Sequence, residues 1–223
     1  MEFINNLPID YYKTKIISEF TTMPSNIDYN TPFYRRNPEY TSKLTLNHLE
    51  LIEYYVRLLK PKNFIELGTQ FGELPNKILP LIPNDYYAVD IETNSNLEYL
   101  SKTYSKFNFS KCTTDLFFNN LKMENTNLHI EMALIDAWHS HEASYNDFLN
   151  LKDHMVNDGI IFFHDTYPIS KYWTDPGLCY DAWKTPEKIR KEHNNEFEIL
   201  TVSVNPGISI ARKVGKQLEW LNA

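Results

Sequence analysis

Glu66-Leu67-Gly68-Thr69-Gln70-Phe71-Gly72 is the stretch on which the fold of this 223-residue chain turns. It closes a short apolar run, Asn63 to Leu67, and sets an acidic residue at the end of that run. Two glycines four positions apart follow and lead into a helix-length segment. Glycine allows a tight turn and a close approach of backbone to a ligand, and in open α/β sheets that turn lies beyond the carboxyl end of a strand. A lone Gly-x-x-x-Gly carries little weight, so the surroundings must supply the rest.

Downstream, apolar runs alternate with helix-length segments: Tyr86 to Ile91, Phe107 to Thr113, His129 to Asp136 and Gly159 to Asp165. Such alternation predicts a parallel sheet with helical crossovers. Phe148, Leu151 and Met155 repeat at helical spacing, and Gly159 is expected to end that crossover. Upstream, Leu49, Ile52, Val56 and Leu59 mark one amphipathic helix that must stop at Pro61. Near the C-terminus, Thr185-Pro186-Glu187 reads as a helix start. Phe197 to Val204 and Ile208 to Val214 flank Asn205-Pro206-Gly207, a hairpin signal. The predicted fold is α/β: a Rossmann-like, mostly parallel sheet with an antiparallel C-terminal hairpin and helices on both faces. One domain is expected over residues 45–223, preceded by an arm or lid at 1–44. The arm's aromatic residues, Tyr11, Tyr12, Phe20, Phe33 and Tyr34, are expected to bury in an acceptor pocket or a homo-oligomer interface.

The formal charge of −7 removes the general attraction to phosphate backbones that nucleic-acid binders use, so no nucleic-acid partner is expected. No stretch approaches the roughly twenty apolar residues of a membrane span, and the first residues lack a signal-peptide pattern, which predicts a cytoplasmic protein with no membrane partner. Two cysteines, Cys112 and Cys179, support neither a disulfide framework nor a thiolate cluster.

Read in register, four successive strands end in carboxylates: Glu66, Asp90, Asp115 and Asp136. Each aspartate can cap the next helix or bind a ligand. On one rim they can accept ribose hydroxyls or an adenine amino group, and their field favours a sulfonium cation. This rim resembles that of the class I S-adenosylmethionine-dependent methyltransferases. The resemblance implies S-adenosylmethionine as cofactor. Glu66, Gly68, Thr69 and Gly72 would take its methionine and ribose part, Asp90 the ribose diol, and Asp115 the adenine, with Asp136 on the same rim. An NAD fingerprint would require glycine where the chain has Gln70 and Glu73, which disfavours a dehydrogenase.

A second cluster comprises Asp136-Ala137-Trp138-His139-Ser140-His141-Glu142 and, at the next strand end, His164-Asp165-Thr166. Asp136, His164 and Asp165 can present two carboxylates and an imidazole to a divalent ion, with His139 one turn beyond Asp136. Methyl transfer to a hydroxyl needs that oxygen to lose its proton, and both a metal and a histidine assist. The order Asp-x-x-His-Ser, helix, Gly-Ile-Ile, His-Asp-Thr is similar to the branch holding macrolide-sugar O-methyltransferases and cephalosporin-hydroxylase-like proteins. That resemblance implies metal ligation by Asp136, His164 and Asp165, with His139 as base. Histidine replaces the glutamate common in metal-dependent members, so magnesium, manganese, iron and no metal all stay open. A plain hydrogen-bonded pair of His164 and Asp165 is the lesser alternative. His141 and Glu142 read as solvated first-turn residues, and Trp138 as a packing residue or pocket wall. The aromatic stretch Tyr167 to Trp183 reads as a pocket or a packed loop. The function expected is O-methyl transfer to a small hydroxylated acceptor such as a sugar. A non-catalytic cofactor-binding or regulatory protein and a metal-dependent hydrolase are the alternatives.

Overall fold

The computed structural model describes residues 48–168, 170–202 and 206–214; the arm expected at 1–44 lies outside the described residues. Helix α1, His48–Leu59, buries Leu51, Ile52 and Val56. Leu59, expected on that face, is half exposed, and Leu51 takes its place. Lys60 adopts φ +52° before Pro61, and its N–H closes the last turn on the Val56 carbonyl.

From there the chain alternates β1 (Phe64–Leu67), α2 (Glu73–Ile78), β2 (Tyr86–Asp90), α3 (Ser95–Thr103), β3 (Phe107–Lys111), α4 (Thr114–Met123), β4 (Ile130–Ile135), α5 (His141–Leu151) and β5 (Met155–His164). Helix α6 (Lys184–Glu192) and strands β6 (Phe197–Val202) and β7 (Ile208–Lys213) complete it. The seven strands lie in the order β3-β2-β1-β4-β5-β7-β6. The first five pair in parallel, and β7 runs antiparallel between β5 and β6. The alternation and the terminal hairpin therefore stand as read, although the hairpin's residues 203–205 lie outside the described residues.

Burial explains the layers. Every residue of β1 is buried, as a central parallel strand requires, because helices cover both of its faces. Leu51, Ile52, Leu74, Ile78, Leu97 and Leu100 from α1 to α3 pack on one face. Phe117, Phe118, Leu121, Phe148, Leu151 and Ile189 from α4 to α6 pack on the other.

Two local expectations need correction. Met155 does not extend the α5 stripe: the helix ends at Leu151, and Met155 opens β5. Gly159 therefore lies inside β5 rather than ending a crossover. It follows a register shift in which Ile130 pairs with Met155 but Met132 with Ile160, and Asp158 at that kink takes φ +64°. A bulge of this kind leaves extra residues unpaired and bends the strand. Asp115 does not end β3, which stops at Lys111; Thr113 caps α4, placing Asp115 in its first turn.

Candidate active site

The strand order reverses between β1 and β4, and ligands in such sheets bind in the crevice outside the strand ends at that point. The loop after β1 is built into this crevice. Gly68 has φ +86°, and a Cβ there would lie 2.2 Å from the Asp136 main-chain oxygen. The Asp136 N–H bonds the Leu67 carbonyl at 2.8 Å. Gly68 is thus required by the close passage of β1 against the end of β4, before any ligand is considered. Gly72, at φ +75°, precedes α2 beneath Asn96 and Leu97. Asn94 and Asn96, at the start of α3, donate to the carbonyls of Gln70 and Phe71 and pin the loop.

The acidic residues of the rim do different things. Asp90 Oδ2 accepts from the Thr69 and Gln70 N–H groups at 3.0 and 2.8 Å, while Oδ1 accepts from Glu92 N–H. A carboxylate offers about four acceptor positions, so capacity for a ligand hydroxyl remains. Glu66 is fully buried and accepts from the hydroxyls of Thr69 and Tyr86. Burial pushes its pKa up to about 8, with those two bonds and the nearby Asp136 and Asp90 as smaller influences. Glu66 and Thr69 therefore engage each other. Asp115 is exposed, and its Oδ1 accepts from the amides of Asn146 and Asn150 on α5.

The buried Glu66 gives a pH-dependent stability. Its folded pKa lies above the unfolded value, so the protonated form is favoured by folding. Stability from this group is complete below about pH 4.5 and is lost as pH rises toward 8, on the order of a few kcal/mol. Glu66→Gln keeps the neutral shape. Melting temperatures measured from pH 5 to 9 are expected to favour the variant increasingly as pH rises; a constant difference would contradict the assignment.

Beside this loop, the ends of β4 and β5 bring a second group together. Asp136 follows β4, and residues 136–140 form a loop, so His139 is not one helical turn beyond it as expected. His139 reaches Asp136 by chain reversal, with Nε2 3.4 Å from Asp136 Oδ1 and Nδ1 3.0 Å from Asp165 Oδ2. His164 Nδ1 lies 3.0 Å from Asp136 Oδ1 and 3.5 Å from Asp165 Oδ2. Two imidazoles therefore interleave with two carboxylates. Burial alone would pull both histidines down, but their bonds and charge pairing with Asp136 and Asp165 carry His139 up to about 11 and His164 up to about 10. Asp165 is buried, which alone would raise it, yet the charge of His164 and the bonds from both histidines hold it well below the usual carboxylate range. Its backbone is left-handed at φ +59°, a costly conformation for a non-glycine residue that turns the chain sharply after β5.

Three contacts in this group carry no sequence signal. His48, at the start of α1, has its ring centroid 4.0 Å from that of His164. Burial and then His164 lower its pKa to about 4, so it is neutral. The Cys179 thiol donates to Asp165 Oδ1 at 3.3 Å, and burial, followed by Asp165, pushes that thiol up. The Leu178 carbonyl accepts from His139 Nδ1. The 171–180 segment, half of the aromatic stretch, is thus tied to the cluster by its far end, while Trp138, Tyr167 and Tyr172 remain exposed. His141 is not merely solvated, since its N–H and ring bond Asp181 and Thr185. Glu142 is exposed, as expected.

The glycine loop, His48 and Asp136 open onto one small cleft of about 50 Å³, lined also by Thr69, Phe71 and Leu134. The donor set also fits a divalent cation. Asp136, His139 and Asp165 offer ligand atoms within 4.8 Å of one another, as do His48, Asp136 and His164. His164 Nε2 is buried without a hydrogen-bond partner among the described residues.

Comparison with solved structures identifies this architecture. A structure from Staphylococcus aureus, described as a candidate caffeoyl-CoA O-methyltransferase, superposes with a TM-score of 0.60 at 16% identity, covering 92% of this chain and 100% of that one. The Podospora anserina methyltransferase PaMTH1, solved with S-adenosylhomocysteine bound, gives 0.59 at 13% identity, covering 94% and 98%. A methyltransferase from Geobacter sulfurreducens gives 0.55 at 8% identity over 91% and 97%. The chain shares the Rossmann-like fold of these methyltransferase structures. Within it, residues 65–166 match a family described as a methyltransferase domain. No curated protein matches it.

Proposed function

We propose that the protein is an S-adenosylmethionine-dependent O-methyltransferase acting on a small hydroxylated acceptor, of which a sugar or sugar-bearing metabolite is one class. The observation that carries this reading is that the glycine loop after β1 and Asp136 line one cleft, while His139 and His164 gather on Asp136 and Asp165 at the ends of β4 and β5. A cofactor-binding module without turnover has no use for the second group, and a hydrolase has none for the first. Gly68, Thr69 and Gly72 hold the methionine and ribose end, Glu66 supports the loop through Thr69 and Tyr86, and Asp90 takes the ribose diol. Asp115, tied to Asn146 and Asn150, borders the adenine side. Among the described residues no helix is long and apolar enough to cross a membrane, in keeping with an acceptor met in solution in the cytoplasm.

On the acceptor side, Trp138 and Tyr167 stand exposed beside the cluster and supply aromatic surface. His139 is the proton acceptor of the reading, with one condition set by the geometry. While both Asp136 and Asp165 face it, it keeps its proton; it becomes a base when their charge is engaged elsewhere. Asp136, His164 and Asp165 are the residues that would hold a divalent ion such as magnesium or manganese, which when bound supplies acidity to a ligated hydroxyl.

Calorimetry with S-adenosylmethionine and S-adenosylhomocysteine tests the cofactor, and a panel of hydroxylated acceptors assayed for methylated product tests the reaction. Binding of neither at millimolar concentration would defeat the reading, and hydrolysis without methylation would favour the hydrolase. Asp90→Ala removes a charged acceptor that also fixes the Thr69 and Gln70 N–H groups. Its cofactor affinity is expected to fall about tenfold to a hundredfold with the fold intact, the worth of one or two charged hydrogen bonds. An unchanged dissociation constant would remove Asp90 from the site.

A further inference from the structure

We propose that the rim binds a nitrogen-preferring transition-metal ion rather than magnesium, and that His48, from the start of α1, is one of its ligands. This rests on the metal-assisted reading above, adding a donor and an ion class to it.

The first observation is geometric. A metal with ligands about 2.1 Å away has ligand-to-ligand edges of roughly 3.0 Å when octahedral and 3.4 Å when tetrahedral. Asp136 Oδ1, His164 Nδ1 and Asp165 Oδ2 already sit at such spacings, 3.0 Å for the first pair and 3.5 Å for the second. His48, Asp136 and His164 offer donor atoms within 4.8 Å of one another. Two edges at His164 are thus at coordination spacing, and His48 enters from an element remote in sequence from the other ligands.

The second observation is that the His48 ring centroid lies 4.0 Å from that of His164, whose Nδ1 faces Asp136 and Asp165. Two imidazoles from remote elements thus stand side by side at one pair of carboxylates, as donors to a shared ion would.

The third observation is chemical. Two imidazoles with one or two carboxylates form the mixed set that suits manganese, iron(II), cobalt, nickel or zinc. Magnesium keeps oxygen ligands and holds its waters, and two of the four nearest donors here are nitrogen. His139, bonded to Asp136 and Asp165, then orients both carboxylates as an outer partner.

The test uses the full chain. Cobalt(II) is titrated and followed by its visible absorption and by calorimetry, with magnesium at millimolar excess as competitor. Binding of S-adenosylhomocysteine is measured in parallel. The wild type is expected to bind about one equivalent of cobalt, resistant to magnesium. His48→Ala is expected to bind cobalt at least tenfold more weakly, the scale seen when a partner of a metal site is removed. His48→Asp, which keeps a ligand but exchanges nitrogen for oxygen, is expected to narrow the preference for cobalt over magnesium. Equal binding of the two ions by the wild type, no cobalt binding, or unchanged cobalt affinity in His48→Ala would each overturn the proposal. Loss of S-adenosylhomocysteine binding with cobalt binding as expected would instead defeat the methyltransferase reading and leave the metal site standing.

Discussion

Replacing His139 by alanine is expected to lower the turnover of methyl transfer by about two to four orders of magnitude, the usual worth of a general base. Cofactor affinity should change little, because the loop from Gly68 to Gly72 is pinned by Asp90, Asn94 and Asn96 rather than by His139. Separate measurement of kcat and of the S-adenosylhomocysteine dissociation constant checks both halves. The split matters because His139 touches Asp136, Asp165 and the Leu178 carbonyl at once. A purely architectural role would disturb binding along with rate. Full turnover in His139→Ala would leave the acceptor's proton to another group and reduce His139 to a spacer.

Asp165→Asn should produce the largest loss of stability. The side chain is buried, takes the imidazole N–H groups of His139 and His164, and also accepts from the Cys179 thiol. Removing one partner of a buried charge pair costs about 3 to 5 kcal/mol, because the remaining charges stay desolvated. In a protein of this size that corresponds to a fall of roughly 10 °C in melting temperature. Activity should fall with it, and added divalent metal should restore part of both, since binding to the native state stabilises it by mass action. A variant as stable as the wild type would mean that the carboxylate is neutralised from elsewhere. Exhaustive chelation that leaves wild-type turnover intact would remove the ion from the reaction.

The sequence made the sheet legible because its evidence is local. Short apolar runs, the Gly68 to Gly72 loop and the Asn205-Pro206-Gly207 turn each declare geometry within a few residues, and parallel pairing follows from alternation. Errors arose where two periodicities meet. Met155 continues the α5 stripe in number, yet the chain leaves the helix at Leu151, and a buried methionine serves a strand as well as a helix. Asp115 fell two residues past a cap that Thr113 supplies. Within the site, Asp90, Asp136, His164 and Asp165 were legible as strand ends. His48, Leu178 and Cys179 were not, since they arrive from α1 and from a loop, and 14 and 39 residues separate Asp165 from Cys179 and His139 from Leu178. Glu66 was read as a ligand group, but nothing local shows that Tyr86, 20 residues on, turns its hydroxyl inward to meet it.

The anchor between the 171–180 segment and His139 is a main-chain carbonyl, and a carbonyl is supplied by every amino acid. Exchange of the Leu178 side chain therefore leaves this bond to His139 in place. Cys179 adds a side-chain bond to that tie, from its thiol to Asp165. If the loop holds the acceptor, as a pocket there would, then on the proposed function acceptor preference and proton chemistry can change separately, because the tie to the cluster runs in part through the backbone.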